Sequence, residues 1–376
     1  MKKIVVCPDS FKGSLTAFEA ADIMAETLRS LYPSAEIVKI PLADGGEGSG
    51  DVLAHLYPIR KEKDTFDALM RSIKACYFMD NSGEEAFIDS AAVVGLTLLE
   101  EEKRNPMKAT SFPLGMMIRN AVESGVKRIR IALGGSGVND AGMGMLEALG
   151  YRFFDSSGHP VSGNGENLIK VFAIDSERVV RGLSEVEISA ICDVKNPLYG
   201  TQGSAYVFSP QKGATPEMIR ILDEGLRKFS SVVVENGFGQ PGDVYKEGAG
   251  AAGGLGYALL SFFNGKLING IDFMLEATDF DNKLKDADLV ITGEGKIDSQ
   301  SLMGKVISGV LRRCKEKNIP LIAVGGIVED ESLLKEAGIS IILSISDSSL
   351  PLAENMNPRQ ARLNLANSLQ SLSISL

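Results

Sequence analysis

The feature that most constrains the fold is a pattern that returns along the chain: an apolar run, a polar or glycine-rich exit, then an amphipathic segment. The first apolar run, residues 4–6, leaves through residues 8–14, and the second, residues 36–41, leaves through residues 43–49. Apolar runs that alternate with helical segments predict a parallel α/β sheet. Because ligands bind at the carboxyl ends of the strands in such sheets, these exits are candidates for a functional site.

The middle of the chain departs from this pattern. β-like runs at residues 71–80 and 85–89 are joined by an Asn-Ser-Gly segment, which is a hairpin signal. Further strands are predicted at residues 186–192 and 204–208, each followed by a polar exit. This part of the chain therefore predicts a separate domain that contains antiparallel as well as α/β elements.

The parallel pattern returns near residue 285, with predicted strands at residues 287–291, 319–324 and 339–344. We therefore assign both chain ends to one sheet. The predicted domains are residues 1–66 with 285–376, and an inserted α/β domain at residues 67–284.

One exit is especially rich in glycine. Residues 127–133 suit a buried strand, residues 134–142 form the glycine-rich loop, and residues 143–149 form an apolar, helix-like run. This layout presents backbone N–H groups to an anion, but a tight turn with a helix capped by Asn139 or Asp140 fits equally well. The loop matches neither a Walker A loop nor a nucleophile elbow, so a phosphate loop here would belong to another family.

A second glycine-rich segment, residues 248–253, matches the GxGxxG pattern literally. A dinucleotide site needs a strand directly before this pattern, and residues 241–247 make a poor strand. We therefore favour a tight loop, or a phosphate loop of another kind, over the site of a dinucleotide-dependent oxidoreductase.

Charge and composition exclude several classes of function. The formal net charge of −10 argues against nonspecific binding of nucleic acid. The four cysteines are far apart in sequence, which suits reduced thiols in a cytoplasm. The apolar stretches are too short for a signal peptide or a membrane span. Because there are only two histidines, and neither lies in a motif, carboxylates and lysines must carry the chemistry.

Taken together, the exits resemble the type 1 glycerate kinase family over essentially the full length of the chain. The matching blocks are residues 8–13, 43–48, 133–136 with Asn139-Asp140, 192–194 with 196–198, 210–214, 248–254, and 288–295 with Asp298 and Gln300. The set in this order is highly specific, unlike any one block alone. The resemblance implies ATP- and Mg²⁺-dependent phosphorylation of D-glycerate. It also implies a Rossmann- or flavodoxin-like domain and an inserted α/β domain, with the active site in the cleft between them.

The chain departs from the family pattern at several positions. Gly137, Val138 and Ala141 replace the Ala, Thr and Gly that are usual in the family's glycine loop. Val138 removes a hydroxyl that could contact phosphate or substrate. Lys296 stands where the family usually has Arg, which keeps the charge but loses a bidentate donor.

Three groups of side chains are expected to carry the chemistry. Asp193 is expected to orient or deprotonate the glycerate hydroxyl, with turn capping as its alternative role and Asp140 as the next candidate base. Glu294 and Asp298 are expected to face Mg²⁺, directly or through water, with helix capping as the alternative for Asp298. Lys12 precedes a predicted helix N-terminus, so we expect it to bind the glycerate carboxylate or the transferring phosphate rather than to be an ordinary surface lysine.

The matched blocks carry over further residues. Those expected to bind ATP are Gly134, Gly135, Ser136, Asn139, Gln211, Lys212, Gly250, Gly253, Gly293 and Gly295. Those expected to bind D-glycerate are Asp9, Ser10, Asp44, Gly45 and Asn196. The resemblance leans towards 2-phosphoglycerate as the product and leaves phosphorylation of the 3-hydroxyl open. A noncatalytic acid-sensing module is a further hypothesis, small molecules are the expected partners, and a homodimer is left open.

Overall fold

The computed structural model describes residues 2–11, 13–43 and 49–372. The strands are β1 (Lys3–Val6), β2 (Glu36–Lys39), β3 (Ile59–Phe66), β4 (Ser72–Met79), β5 (Glu85–Asp89), β6 (Arg128–Ala132), β7 (Arg152–Phe154), β8 (Ala173–Asp175), β9 (Glu187–Ile191), β10 (Lys266–Ile268), β11 (Leu289–Ile297), β12 (Leu321–Val328) and β13 (Ile341–Ser344). The α-helices are α1 (Ala17–Leu31), α2 (Ser49–Leu56), α3 (Ala91–Val94), α4 (Phe112–Glu123), α5 (Met143–Ala148), α6 (Ser204–Phe208), α7 (Pro216–Glu235), α8 (Ala251–Phe263), α9 (Gly270–Ala277), α10 (Phe280–Lys283), α11 (Val306–Lys317), α12 (Glu331–Glu336), α13 (Leu352–Asn355) and α14 (Pro358–Gln370). Within the described ranges, no helix combines the length and the apolar character that crossing a membrane requires.

The first sheet is built from both ends of the chain, as the sequence predicts. Its strand order is β13-β12-β11-β1-β2, and every neighbouring pair is parallel. Val5 of β1 lies opposite Val290 on one side and Val38 on the other. This is the flavodoxin-like order, in which the winding of the chain reverses beside the first strand. The expected ligand position is therefore the carboxyl ends of β1 and β11.

The first exit lies between the buried strand β1 and the capped start of helix α1. β1 contributes Ile4 and Val6 to an apolar cluster that is covered by α1 and α14. Helix α1 starts at the predicted capping box: the Thr16 hydroxyl accepts from the Glu19 backbone N–H at 3.2 Å, and the Glu19 carboxylate accepts from the Thr16 N–H at 3.0 Å. This reciprocal pair fixes the start of α1 shortly after the first exit.

The second sheet mixes parallel and antiparallel strands. Its order is β10-β9-β6-β5-β4-β3; the strands from β10 to β5 are parallel neighbours, and β5, β4 and β3 are antiparallel neighbours. The predicted hairpin between β4 and β5 is present. Strand β3 was not predicted, because its sequence is mostly charged, which suits the exposed edge of a sheet. A separate antiparallel pair is formed by β7 and β8.

The described residues divide into two compact units. The first unit comprises the chain up to Leu56 and from Asn269, and the second unit is Tyr57–Ile268. The domain boundaries predicted from the sequence, near residues 66 and 284, fall later in the chain than these divisions. β3 pairs along its whole length with β4, which assigns it to the second unit. Helix α9 packs against α11, which assigns it to the first unit.

Two predicted elements differ in the structure. Residues 204–208, predicted as a strand, form α6: the buried positions 204, 205 and 209 follow a helical period, while Tyr206 and Val207 are exposed. The strand predicted at residues 287–291 continues as β11 to Ile297, because β12 pairs with it over this whole length. The acidic and glycine-rich exit is therefore largely a strand.

Candidate functional site

A cavity of about 270 Å³ lies in the first unit, at the carboxyl ends of its strands. Its polar lining residues are Asp9, Ser10, Ser14, Glu294, Lys296, Lys305, Ser346 and Asn355. Its apolar lining residues are Phe11, Ile327, Ile345, Leu352, Met356 and Ala361. The predicted site residues Asp9, Ser10 and Glu294 are thus brought together around one space, at the position where the strand order reverses.

Backbone hydrogen bonds hold the first exit against β11. The Asp9 N–H donates to the Gly293 carbonyl at 2.8 Å, and the Ser10 N–H donates to Asp9 Oδ1 at 2.6 Å. Lys12, Asp44 and Gly45, which the sequence also marked as site residues, lie outside the described residues.

The two glycines of β11 that were expected to bind ATP have different surroundings. A Cβ on Gly293 would lie 2.5 Å from the Val324 carbonyl oxygen and 3.1 Å from the Phe11 ring, so packing explains this glycine. Gly295 lines the cavity.

Glu294 and Asp298, the residues expected to face Mg²⁺, have different surroundings in the structure. Glu294 is buried, lines the cavity and accepts a hydrogen bond from the Ser301 hydroxyl. Asp298 Oδ1 accepts from the Gln300 N–H at 2.9 Å, and Asp298 Oδ2 lies 3.2 Å from Lys296 Nζ. Although burial opposes the shift, the hydrogen bonds from Lys296 and the Gln300 backbone lower the pKa of Asp298 below its usual value. Asp298 therefore caps a turn, while Glu294 faces the cavity.

Two carboxylates of the first unit, Asp9 and Glu294, are the candidates there to face a metal ion. Among the described residues, no group of three or more His, Cys, Asp or Glu side chains is arranged to hold a metal ion. Mg²⁺ needs fewer protein ligands when phosphates and waters complete its shell. Asp9 and Glu294 line the same cavity, which is the kind of donor set that such a complex uses.

The glycine loop of the second unit, residues 134–142, is buried over most of its length. Gly134 and Gly135 are exposed, whereas the rest of the loop is buried. The Gly137 N–H donates to the Val94 carbonyl at 2.7 Å, and the Ala141 N–H donates to the Gly253 carbonyl at 2.9 Å. These donors are therefore used within the protein rather than presented to an anion.

The buried side chain of Lys212 forms hydrogen bonds to this loop. Its side chain is buried, and Nζ donates to the Val138 carbonyl at 2.6 Å and to the Ser136 hydroxyl at 3.3 Å. Burial lowers the pKa of Lys212 to about 7, and the charge of Asp140 partly opposes this effect. Lys212 was expected to bind ATP, but in the structure its ammonium group binds the loop. Its neighbour Gln211 is exposed.

The carboxylate of Asp140, the second candidate base, is also hydrogen-bonded within the protein. Its Oδ2 accepts from the Ser111 N–H at 2.7 Å, the Ser111 hydroxyl at 2.8 Å and the Gly144 N–H at 3.2 Å, and its Oδ1 accepts from the Gly142 N–H at 3.1 Å. Burial raises the pKa of Asp140, and these hydrogen bonds oppose the rise. A carboxylate with four donors positions the start of α5 and joins it to α4.

The departures from the family pattern have structural consequences. The Val138 side chain is fully buried in the apolar core, so a hydroxyl at this position would face the protein interior. Ala141 has φ +50°, in the left-handed region where glycine is favoured.

Asn139, which matches the family pattern, is buried, and its Nδ2 donates to the Ser209 hydroxyl.

The GxGxxG segment packs two exits of the second unit together. The Gly250 N–H donates to the Asn196 carbonyl at 2.9 Å, and a Cβ on Gly250 would lie 2.2 Å from the Pro197 carbonyl oxygen. A Cβ on Gly253, which has φ +76°, would lie 2.1 Å from the Val138 carbonyl oxygen. A 3₁₀ turn (Pro241–Tyr245), not a strand, precedes the segment. The glycines are therefore explained by close backbone packing.

Asp193 and Asn196 lie in the exit after β9. Asp193 is exposed and stands two residues beyond Ile191, at the carboxyl end of the strand. Asn196 Nδ2 donates to the Gln202 carbonyl at 2.8 Å, which closes the loop. Of these two predicted residues, Asp193 has the more accessible side chain.

Lys305 and Ser301 are among the residues at or behind the first unit's cavity that were not predicted as site residues. Lys305 follows Gly304 in a Gly-Lys pair that lacks the rest of a Walker A loop, so the sequence does not single it out, yet it lines the cavity just before α11. Ser301 donates to Glu294, and only its proximity to Asp298 in the sequence could have pointed to it.

Comparisons with known proteins point to one family. The model of the glycerate kinase family matches residues 4–374. The glycerate kinase of Bacillus subtilis (strain 168) is 40% identical over 356 residues, covering 94% of this chain and 92% of that protein. The glycerate 2-kinase of Escherichia coli (strain K12) is 38% identical over 345 residues, covering 91% and 90%. A crystal structure from Salmonella typhimurium LT2, assigned as a glycerate kinase 2, has a TM-score of 0.81 at 37% identity and covers 98% of both chains.

Proposed function

Because this chain belongs to the glycerate kinase family, we propose that it transfers the γ-phosphoryl group of ATP to D-glycerate and forms 2-phosphoglycerate. The match along nearly the whole chain carries this proposal, since it includes every exit that bears a candidate residue. The name of the Escherichia coli relative supports the 2-hydroxyl as the acceptor. The motif blocks support the type 1 division of the family.

The residues of the first unit suit the handling of phosphate. Phosphoryl transfer is catalysed by positioning, by cations on the phosphoryl oxygens and by a carboxylate near the attacking hydroxyl. Lys296 and Lys305 supply cations at the cavity, and Asp9 and Glu294 supply carboxylates. We assign Mg²⁺ binding to Glu294 together with Asp9. Mg²⁺ would neutralise charge on the phosphates of ATP.

Asp193 is the residue to which we assign the glycerate hydroxyl. It is exposed at the carboxyl end of β9, where parallel α/β sheets bind ligands. Asp140 is less suited to proton transfer, since four donors already bind it. Lys12 keeps its predicted role in binding the glycerate carboxylate or the transferring phosphate. Its neighbour in sequence, Phe11, lines the cavity.

The proposal is tested by ADP release from ATP in the presence of D-glycerate, with L-glycerate as the matched control and NAD reduction monitored in parallel. Phosphorus NMR of the product distinguishes the two hydroxyls, because phosphorus on the 2-oxygen couples to one proton and phosphorus on the 3-oxygen couples to two. A doublet is expected and a triplet would overturn the regiochemistry. NAD reduction without ADP release, or binding of glycerate without turnover, would overturn the kinase assignment.

The role of Asp193 is tested by Asp193→Asn, with Asp64→Asn on the exposed edge strand β3 as the control. The first variant should lower kcat by about two orders of magnitude or more while its unfolding midpoint is unchanged. The control should match the parent. An unchanged kcat in Asp193→Asn would rule out the assigned role.

A further inference from the structure

The cavity of the first unit has two chemically different walls. The first exit and β11 supply the mainly polar wall, which includes Asp9 and Glu294 and also the ring of Phe11. The ends of β12 and β13 and the segment from α13 to α14 supply the apolar wall, which consists of Ile327, Ile345, Leu352, Met356 and Ala361. In the sheet, β12 and β13 lie beyond β11 on the side away from β1, so the two walls follow one another across the sheet.

The two polar side chains beside the apolar wall, Ser346 and Asn355, are already hydrogen-bonded within the protein. The Ser346 hydroxyl donates to the Gly326 carbonyl at 2.5 Å. Asn355 Nδ2 donates to the Asp347 carbonyl at 2.9 Å, and Asn355 Oδ1 accepts from the Asp347 N–H at 2.8 Å. Both side chains thus have hydrogen-bond partners in the protein backbone, so this side of the cavity offers a ligand mainly apolar surface.

We propose that this apolar wall binds the adenine ring of ATP, an inference that rests on the proposed kinase function. A volume of about 270 Å³ is near the lower end, about 300 Å³, of cavities that bind small molecules. Glycerate is small and bears oxygen on every carbon, so it would leave the apolar side chains without a matching surface. A purine ring is flat and largely apolar, and burying it against Ile327, Leu352 and Met356 removes that surface from water.

Lys305 sets the direction in which the nucleotide lies. It is half-buried at the cavity, immediately before α11 (Val306–Lys317), and it forms no ion pair within the described part of the chain. By contrast, Lys296 Nζ lies 2.9 Å from Glu329 and 3.2 Å from Asp298. A lysine beside the N-terminus of a helix favours phosphate. The phosphates therefore extend from the apolar wall towards Lys305 and Glu294.

The chain has no tryptophan, so a single introduced tryptophan reports on its own surroundings. Leu352→Trp places the reporter on the apolar wall, and Leu363→Trp on α14 is the matched control. The two leucines are 56% and 54% exposed, so both sites should accept the larger ring, but only Leu352 lines the cavity. Unfolding midpoints equal to that of the parent verify that both variants fold.

Each variant is titrated separately with adenosine, ADP, tripolyphosphate and D-glycerate. Adenosine and ADP should each change the emission of Leu352→Trp saturably, while tripolyphosphate and D-glycerate should not, and Leu363→Trp should respond to none of them. A response of Leu352→Trp to tripolyphosphate or glycerate but not to adenosine would overturn the base assignment. No response at all, or an equal response of both variants, would overturn it as well.

A second substitution tests the direction of the nucleotide. In the Leu352→Trp background, Lys305→Met should weaken ADP binding by about tenfold or more, because a charge-assisted contact to phosphate is lost. Adenosine binding should change by less than about twofold. Equal weakening of both ligands, or of neither, would overturn the orientation.

The outcomes separate this inference from the proposed function. If adenosine and ADP bind at Leu352→Trp but ATP and D-glycerate give no ADP, the base assignment stands and the kinase assignment fails. If glycerate-dependent ADP release is measured but adenosine gives no response at this position, the base assignment alone fails.

Discussion

The cavity of the first unit and the glycine loop of the second unit carry similar sequence signals, glycines beside acidic residues after a strand, but they use their polar groups differently. In the second unit, Asp140 and Lys212 are buried and bind the loop itself. In the first unit, Asp9, Glu294 and Lys305 line a cavity. In the sequence, glycines beside acidic residues suggest the end of a strand, yet in the first unit β11 continues through them to Ile297. They do not tell whether the polar groups serve a ligand or the loop.

The largest expected effect is a loss of stability when a closely packed glycine of the second unit is substituted. Gly253→Ala should lower the free energy of unfolding by about 3 kcal/mol or more, because its Cβ would lie 2.1 Å from a carbonyl oxygen at φ +76°. Gly134→Ala is the control, since a Cβ there meets nothing within 4 Å and should cost less than about 0.5 kcal/mol. Urea unfolding measures both.

Equal unfolding midpoints for these two variants would contradict the packing explanation. A Gly134→Ala variant of normal stability but weakened ATP affinity would return the exposed start of this loop to the list of phosphate-binding groups.

The next prediction tests whether Glu294 and Asp298 have different roles in the first unit. Glu294→Gln should lower kcat/KM by about a hundredfold and raise the Mg²⁺ concentration needed for half-maximal rate, because it removes a charge that faces the cavity. Asp298→Ala should instead lower the free energy of unfolding by about 1 kcal/mol through loss of a cap, with kcat/KM within about twofold of the parent. Kinetics across a Mg²⁺ series and urea unfolding measure the pair, and an exchange of the two phenotypes would reverse the assignment.

The buried lysine of the second unit predicts a pH dependence of stability. The folded-state pKa of Lys212 is lowered to about 7, whereas an unfolded lysine has a pKa of about 10.4. Between these values the unfolded state binds the extra proton, so stability rises with pH. Relative to Lys212→Met, the free energy of unfolding of the parent should rise by about 2 kcal/mol from pH 7 to pH 9. Below pH 7 the difference between the two proteins should change little with pH.

Urea unfolding at several pH values measures this difference. The exposed Lys228, in the same unit, provides the control: Lys228→Met should follow the parent across the whole range. A flat difference between the parent and Lys212→Met would show that Lys212 stays charged in its buried position.

The smallest expected effect concerns the departure at Ala141. Ala141→Gly should raise the free energy of unfolding by about 1 kcal/mol, because glycine adopts φ +50° without the steric cost that alanine incurs. Ala148→Gly, within α5, should change stability by a similar amount in the opposite direction. Thermal unfolding measures both, and a destabilised Ala141→Gly variant would contradict the strain assigned to this residue.

Local patterns were sufficient to predict the parallel sheet from both chain ends, the hairpin of the second unit and the capping box at Thr16 and Glu19. The individual strands, the hairpin and the capping box depend on residues close together in sequence, whereas the joining of the two chain ends was inferred from the return of the same pattern near residue 285. The helix at residues 204–208 was mistaken for a strand, because its β-branched and aromatic residues suit both and its burial is set by tertiary packing. The length of β11 depends on β12, which no local signal could reveal.

The candidate site was predictable to a similar extent. Asp9 and Glu294 were predicted from their positions in polar exits after apolar runs, and both line the cavity, although Glu294 lies within β11. The burial of Lys212 could not be predicted, since a lysine in a polar connecting segment is usually exposed and only the packing around the glycine loop encloses this one. Lys305 was overlooked because the cavity that it lines is assembled from segments far apart in the sequence.

The pairing of β1 with β11 has a consequence for the order of synthesis. Cys7 and Thr292, which are hydrogen-bonded at the end of this pair, are 285 residues apart. At a ribosomal rate of about 5–20 residues per second, β1 waits on the order of tens of seconds for its central partner to emerge. During this time the whole of Tyr57–Ile268 is translated and has its own strands to pair. Until β11 emerges, one edge of the nascent N-terminal strand, at Ile4, Val5 and Val6, is unpaired and open to pairing with other chains.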